Sequence, residues 1–358
     1  MFLEPASFAF LERLLDTPAP SGFEAPAARV WRAEARSFAD RVAADVSGNS
    51  AAILNPDASP RIMLAGHIDE IGIMVTHIDD EGFLYFDGIG GWDPQVLVGQ
   101  RVRLLGREGP VPAVVGKKPI HLIKGDEKEK ASKLEDLWLD VGAAGRDAVQ
   151  ARGLRVGDPG VIDCGLTRLG ADLIASRSID NRIGAFVVLE ALRLLHANRP
   201  AAQVAAVATS QEEIGYSGGG ARTSAYSLDP QVALVVDVTF ATDSPGMEKK
   251  ELGEHKLGGG PVLTRGSASH PLVFERLLST AEREGIACTI AASPRYTSTD
   301  ADAIYLSRRG VPTGVLSVPN RYMHSPNEMI SLADLDATAR LIAAFCRSIS
   351  VADRWIED

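Results

Sequence analysis

The chain has 358 residues, 45% of them hydrophobic and 23% charged, which suits a soluble enzyme with a large core and two domains. Its 37 basic and 47 acidic residues give a net charge of -10, which argues against nucleic acid and anionic membrane surfaces as partners because such binding requires clustered Lys and Arg. The three cysteines form no paired motif, so we expect no disulfides. The N-terminus lacks the basic start of a signal peptide, and no apolar run approaches the ~18 residues that span a bilayer. We therefore expect a cytoplasmic protein.

The first segment, residues 1–68, is predicted to begin the larger domain. Apolar residues from Phe8 to Leu15 recur at helical spacing, and Pro18 stops the pattern. A second predicted helix over residues 25–39 leads to two strand-like runs, AAIL and RIMLAG. The segment therefore predicts helices followed by strands of a common sheet.

Residues 69–165 are predicted to form a small β-rich insert. Its short β-like runs, separated by glycines and prolines, are IMVTHI, FLYFDGI, VLVGQRVRLLG, VPAVVGKK and LWLDVGA. Residues 117–136 mix lysines with acidic residues, which is typical of a solvated loop. A short helix over 146–152 and the turn GLRVGDPG close the insert. We interpret it as a second domain that interrupts the first.

Residues 166–358 return to alternating helices and strands. Predicted strands are QVAAVAT, VALVVDV, CTIAA and VPTGVLSV, and predicted helices cover 181–196, 270–284, 300–309 and 332–348. Alternation of this kind predicts an α/β fold with a mixed, mostly parallel sheet flanked by helices. The larger domain is thus expected to combine residues 1–68 and 166–358.

Polar residues recur at the downstream ends of the predicted strands, where side chains distant in sequence converge in one crevice. Five of them are candidate metal ligands, namely His67, Asp180, Glu213, Asp237 and His324. If Asp180 bridges two divalent ions, each ion has three protein ligands and an open position for water. Mixed carboxylate and imidazole ligation suits zinc, and cobalt or manganese could substitute.

Two further acidic residues have predicted catalytic roles. Glu212, beside Glu213, is placed to act as the general base that takes a proton from the attacking water. Asp69 follows His67 by two residues and so faces the same side of a strand, where it could orient the imidazole by accepting a hydrogen bond. The pattern predicts a metallohydrolase.

Three alternatives remain open from the residues alone. The motif GYSGG matches a nucleophile elbow, so Ser217 with Asp237 and His324 could form the triad of a serine hydrolase. Glu212 and an aspartate could instead serve a glycoside hydrolase of the cellulase type. A non-catalytic binding or structural protein would be favoured if the protein were metal-free and inert.

Several linked motifs resemble the tetrahedral aminopeptidases, the metallopeptidase family 42 that includes glutamyl and deblocking aminopeptidases. The motifs, in order, are GHIDEIG, SIDNRIG, SQEEIG, VDVTFATDSPG, STDADAI and VPTGVLSVPNRYMHSP. The resemblance implies the same two-metal site, with the same five ligands, Glu212 as base and Asp69 as support. It also implies a zinc-peptidase-like catalytic domain and a PDZ-like barrel for dimerisation. Six dimers would form a hollow dodecamer acting on short peptides.

Overall fold

The computed structural model describes residues 3–215 and 218–356, with the backbone alone at positions 126 and 127. The strands are β1 (Arg41–Ala44), β2 (Ser50–Leu54), β3 (Arg61–His67), β4 (Gly72–Ile78), β5 (Phe83–Ile89), β6 (Arg101–Gly106), β7 (Gly109–Lys117), β8 (Leu137–Asp140), β9 (Pro159–Ile162), β10 (Thr167–Leu169), β11 (Leu173–Ser176), β12 (Gln203–Thr209), β13 (Val232–Phe240), β14 (Val262–Arg265), β15 (Thr289–Ala292), β16 (Thr313–Asn320) and β17 (Glu328–Ser331). The α-helices are α1 (Pro5–Asp16), α2 (Ala25–Ala35), α3 (Pro94–Leu97), α4 (Arg146–Ala151), α5 (Ile179–Ala197), α6 (Gly219–Leu228), α7 (Lys249–Leu252), α8 (Pro271–Glu284), α9 (Ala301–Ile304) and α10 (Leu332–Ser348). Short 3₁₀ turns occupy Ile120–Leu122, Gly125–Glu129 and Leu134–Asp136.

The larger domain is built on an eight-stranded sheet with the order β1-β2-β12-β3-β13-β16-β14-β15. Its centre is parallel, because β12 and β13 flank β3 in the same direction and β16 continues beside β13. On either side, β2 joins β12 and β14 joins β16 in antiparallel fashion. The prediction of a mixed, mostly parallel sheet is confirmed.

Helices cover both faces of this sheet, and the alternation along β3 shows why. Ile62 and Leu64 pack into the core shared with α1, α2, α5, α8 and α10. Met63 and Ala65 point to the opposite face, into the core shared with α6 and α9. Because successive strand side chains alternate between faces, a strand buried on both sides must be apolar throughout. Among the described residues, no helix is long and apolar enough to cross a membrane.

The inserted segment forms a closed six-stranded barrel with the order β4-β5-β8-β7-β6-β9. A separate hydrophobic cluster fills it, including Ile73, Leu84, Val102, Leu139 and Ile162. Closure of the sheet leaves no free edge that could pair with another strand. The predicted β-rich barrel is thus observed as a body with its own core.

A third sheet has three antiparallel strands in the order β10-β11-β17. Ser176 of β11 pairs with Glu328 of β17. The chain enters α5 directly after β11 and reaches β17 through the loop that follows β16. This sheet therefore brings together two segments that belong to the functional site.

Some predicted element boundaries were wrong. The start of VLVGQRVRLLG forms the end of α3 rather than a strand, because Pro94 occupies the first turn and the Asp93 carboxylate accepts the Gln95 N–H at 2.9 Å. The short run PGVI, overlooked as part of a turn, is β9 and closes the barrel by pairing with β4 and β6.

Two predicted helices are shorter than expected. The helix predicted over 300–309 ends at Ile304, and Arg308 has a φ of 54°, which a right-handed helix does not accommodate. The helix predicted over 25–39 ends at Ala35, where the Ser37 hydroxyl donates a hydrogen bond to the Glu34 carbonyl at 2.7 Å. In both places local turn geometry, which apolar periodicity does not report, ends the helix.

Candidate functional site

The residues predicted to form the site meet at the carboxyl ends of the central strands. They are His67 at the end of β3, Asp69 just after it, Asp180 in the first turn of α5, Glu212 and Glu213 after β12, Asp237 in β13 and His324 after β16. The parallel arrangement of β12, β3, β13 and β16 brings these ends to one edge of the sheet. The crevice outside that edge is where open α/β sheets bind ligands.

Asp180 lies between the two histidines. Its Oδ1 is 3.3 Å from Nε2 of His67, and its Oδ2 is 3.3 Å from Nε2 of His324. The backbone at Asp180 departs from helical geometry, with φ -74° and ψ 111°, so its side chain projects from an irregular first turn. One carboxylate thus presents an oxygen to each imidazole, which is the arrangement that a bridging ligand requires.

The remaining carboxylates divide between the two imidazoles. Glu213 Oε2 is 3.4 Å from Nε2 of His324, whereas Glu212 Oε2 and Asp237 Oδ1 are 3.7 and 3.9 Å from Nε2 of His67. Two donors about 2.0–2.1 Å from one tetrahedral ion lie about 3.3–3.4 Å apart. The separations of 3.3–3.4 Å match that spacing. One potential ligand atom from each of His67, Asp180 and Glu213 also lies within 4.8 Å of the other two.

Both imidazoles direct Nε2 toward the Asp180 carboxylate and Nδ1 toward a backbone carbonyl oxygen. Nδ1 of His324 is 2.8 Å from the carbonyl oxygen of Gly91, and Nδ1 of His67 is 3.2 Å from the carbonyl oxygen of Asp69. When Nδ1 donates to a carbonyl, the neutral ring leaves a lone pair on Nε2. Although burial opposes it, hydrogen bonds to Asp180 and Glu213 raise the pKa of His324 to about 11, and those to Asp180 and Asp69 raise the pKa of His67, so without a metal a proton on Nε2 holds each ring against the carboxylates. A divalent cation can take the place of that proton, so the donor set fits a metal centre.

The electrostatics of the buried cluster lead to the same conclusion. Burial raises the pKa of Glu212 to about 10, and repulsion from Asp237, Asp300 and Glu213 adds to it, although His67 opposes the shift. Burial likewise raises the pKa of Glu213, whose Oε1 has no hydrogen-bond partner among the described residues. The cluster contains more buried carboxylates than the two imidazoles can neutralise, a condition that bound cations relieve.

Asp69 contacts more of the site than its proximity to His67 suggested. Its carboxylate is fully buried and accepts the backbone N–H of Glu212 at 3.3 Å and that of Glu213 at 3.1 Å. Its Oδ1 lies 3.5 Å from Nδ1 of His67, farther than the Asp69 carbonyl oxygen. The side chain therefore fixes the glutamate pair, and the main-chain carbonyl makes the shorter contact with the imidazole.

Two buried acidic residues at the site were missed by the sequence analysis. Asp300, just before α9, accepts a hydrogen bond from the Thr209 hydroxyl, and burial raises its pKa to about 6. Glu328, the first residue of β17, accepts the backbone N–H groups of Asp180 and His324, each at 3.0 Å. Neither lies at the end of a central strand; Asp300 belongs to the motif STDADAI, but that resemblance gave it no role in the predicted site.

A large cavity opens beside Glu212. Its volume is about 1160 Å³, slightly above the usual range of small-molecule sites. Asp300 lines it near Glu212, and the side walls include Tyr226, Tyr296 and Leu306. A substrate with a bulky side chain could therefore enter next to the carboxylate cluster.

The geometry gives little support to the alternatives. Ser217 lies outside the described residues, but the proposed triad also requires Asp237 to contact His324, whose described partners are instead Gly91, Asp180 and Glu213. A glycoside hydrolase needs two carboxylates and has no use for paired imidazoles within the cluster.

Comparison with known proteins gives consistent matches along nearly the whole chain. A lysyl aminopeptidase from Pyrococcus furiosus is 35% identical over 346 residues, covering 96% of this chain and 97% of the relative. The structure of a TET aminopeptidase from a marine-sediment archaeon of the Thaumarchaeota superposes with a TM-score of 0.92 at 33% identity, covering 97% of each chain. The TET1 peptidase of Pyrococcus horikoshii, described as assembling into a tetrahedron or a large octahedral shell, superposes with a TM-score of 0.85 at 30% identity, covering 96% of this chain and 100% of that one.

The family match covers most of the chain. Residues 48–341 match the family described as M42 glutamyl aminopeptidase, and this range includes every residue of the predicted site. The strand-end cluster of histidines and carboxylates and the α/β fold with an inserted barrel agree with that match. The chain belongs to the M42 glutamyl aminopeptidase family.

Proposed function

We propose that the protein is a two-metal aminopeptidase that removes N-terminal residues from short peptides. The observation that carries the proposal is Asp180, whose two oxygens each lie 3.3 Å from the Nε2 atom of a different histidine. One ion would be held by His67, Asp180 and Asp237, and the other by His324, Asp180 and Glu213. Two imidazoles among carboxylates suit zinc, with cobalt or manganese as substitutes.

Glu212 is proposed as the general base. When bound, the two cations would lower the pKa of a water molecule and polarise the scissile carbonyl group. The Glu212 carboxylate would take the proton from this water and deliver it to the leaving amine nitrogen. Asp69 supports the step because it holds the Glu212 N–H at 3.3 Å, and this backbone contact limits where the carboxylate can lie.

The acidic character of the site suits the free amino terminus of a peptide. An α-ammonium group is attracted by the carboxylates that the cations do not neutralise fully, including Asp300 beside the cavity. The cavity next to Glu212 would receive the first side chain of the substrate. Its walls combine aromatic residues with the basic Arg222 and Arg308 and the acidic Asp302. This mixed lining does not indicate a preference for one charge on the substrate side chain.

The barrel is proposed as a dimerisation domain, with residues 69–165 inserted between the catalytic segments 1–68 and 166–358. Val114, Ile120 and Leu122 on this insert are exposed, at 49%, 53% and 61%. Exposed apolar side chains often mark a protein interface where they form a contiguous patch. Light scattering coupled to size-exclusion chromatography tests the assembly: dimers or a dodecamer are expected, and a strictly monomeric, fully active protein would contradict it.

The three cysteines, Cys164, Cys288 and Cys346, are all free, which agrees with the proposed location in the reducing cytoplasm.

The proposed activity is tested with a panel of aminoacyl p-nitroanilides. Purified protein is assayed before and after treatment with a chelator, after zinc, cobalt or manganese is added back, and with a serine-directed inhibitor. Activity lost with the chelator, restored by metal and indifferent to the serine reagent is the expected result. Activity that survives chelation but is abolished by the serine reagent would refute the metal mechanism and favour Ser217 as nucleophile.

A further inference from the structure

Glu328 occupies a position behind the site from which it contacts two elements at once. It is 2% exposed, and its two carboxylate oxygens accept different backbone N–H groups. Oε2 accepts the N–H of Asp180, and Oε1 accepts the N–H of His324, both at 3.0 Å. One side chain therefore connects the start of α5 to the loop after β16.

Both of these backbone groups lie in irregular structure that the regular elements do not hold. The N–H of Asp180 is in the first turn of α5, where no preceding helical carbonyl can accept it. His324 has a φ of 59°, an uncommon conformation for a residue other than glycine. Its loop is closed by two backbone hydrogen bonds between Arg321 and Met329, at 2.9 and 3.0 Å, but these lie several residues from His324.

We propose that Glu328 is a positioning residue that fixes the bridging Asp180 and the terminal ligand His324 relative to each other. The inference rests on the proposed function, because it assigns these two residues to the metal centre. Glu328 contacts their main chains and leaves their ligand atoms free. A small rotation of either backbone would otherwise change the 3.3 Å separation between Asp180 Oδ2 and His324 Nε2.

The chemistry of the contact requires a carboxylate. Two N–H donors on opposite oxygens need two acceptors, and a carboxylate provides both. Glutamine has a similar shape but only one acceptor oxygen, so its NH₂ group would face one of the two N–H donors. Aspartate keeps both acceptors but is one methylene shorter and cannot reach both groups without a shift of β17.

Asp334 provides a matched control in the same chain. It is 1% exposed, and its two oxygens accept the backbone N–H groups of Gly258 and Gly260, each at 2.8 Å. None of these partners is a proposed metal ligand. Glu328→Gln and Asp334→Asn therefore remove the same kind of buried interaction, one at the site and one away from it.

The experiment compares wild type, Glu328→Gln, Glu328→Asp and Asp334→Asn. Zinc affinity is measured by competition with a chromophoric chelator, alongside kcat, KM and the melting temperature of the metal-free proteins. We expect Glu328→Gln to weaken zinc binding by about 10–100-fold, as changes to groups that orient metal ligands do. Glu328→Asp should be intermediate, and Asp334→Asn should lower the melting temperature while keeping wild-type zinc affinity.

The outcomes separate this inference from the proposed function. If wild type binds zinc and both Glu328 variants bind it as tightly as Asp334→Asn, the positioning role is overturned and the metal mechanism survives. If wild type binds no divalent metal, both are overturned. If Glu328→Gln does not fold, the zinc affinity of Glu328→Asp decides, and a wild-type value overturns the role.

Discussion

Replacing Glu212 with glutamine is expected to abolish most of the turnover while both metals remain bound. The Glu212 N–H is held by Asp69 at 3.3 Å, and Glu212 is not one of the five proposed ligands, so a change in its side chain should leave the metal contacts in place. Glutamine keeps the shape of the side chain but cannot take a proton. Loss of a general base typically lowers rates by about 10²–10⁴-fold, which equals about 3–5 kcal/mol of transition-state stabilisation.

The assay measures kcat and KM for the best p-nitroanilide substrate together with metal content by mass spectrometry. Glu213→Gln is the control, because Glu213 Oε2 is 3.4 Å from His324 Nε2 and is proposed as a ligand. That variant should lose metal, and excess metal should restore part of its activity. Glu212→Gln should keep its metal and show a lower kcat with little change in KM. A Glu212→Gln enzyme with a near-normal rate would refute the assignment of the base.

Three further predictions follow from the structure. Chelation should lower the melting temperature as well as the activity, because an ion present at about 1,000 times its Kd adds about 4 kcal/mol per site to the free energy of unfolding; an unchanged melting temperature would contradict a tightly held metal. Asp180→Ala should remove both ions, as measured by metal content, and a variant that keeps two would exclude a bridging role. Glu70→Ala should lower the free energy of unfolding by about 3–5 kcal/mol, because the fully buried guanidinium of Arg182, 2.7 Å from Glu70, would lose its carboxylate partner. Urea denaturation measures this free energy. A loss below about 1 kcal/mol would show that the backbone carbonyls around Arg182 compensate.

Much of the fold could be predicted because its strongest elements have unambiguous sequence patterns. The fully buried strands β12 and β16 are rich in apolar residues, and α10 shows helical spacing with a Ser331 N-cap whose hydroxyl accepts the Ala333 N–H at 3.2 Å. What the patterns did not reveal was pairing between distant segments. The short strand β9 is recognisable only from its partners β4 and β6, because four residues carry too little periodicity.

The site was predictable to the extent that its residues follow strands. His67, Glu213 and His324 lie where the parallel sheet converges, so their approach follows from topology alone. Asp300 and Glu328 reach the site from other elements, and their contacts are with Thr209 and with backbone amides. No local signal distinguishes an acidic residue that binds buried amides from one on the surface, so these two could be found only in three dimensions.

The buried acidic residues of this site therefore fall into two groups with different partners. Asp69 and Glu328 each accept two backbone N–H groups. Burial opposes ionisation of both; contacts with His67 and the backbone still lower the pKa of Asp69, whereas the pKa of Glu328 stays raised by burial and by Asp180. Glu213 and Asp237 face the imidazoles with fewer donors, and burial raises the pKa of both. The backbone contacts of the first group fix its geometry before a metal binds, whereas the second group faces the imidazoles and requires cations to remain ionised. Metal binding should then neutralise ligands that already lie in place. The conformational entropy lost in ordering those ligands is lost largely during folding, so little of it weakens metal binding.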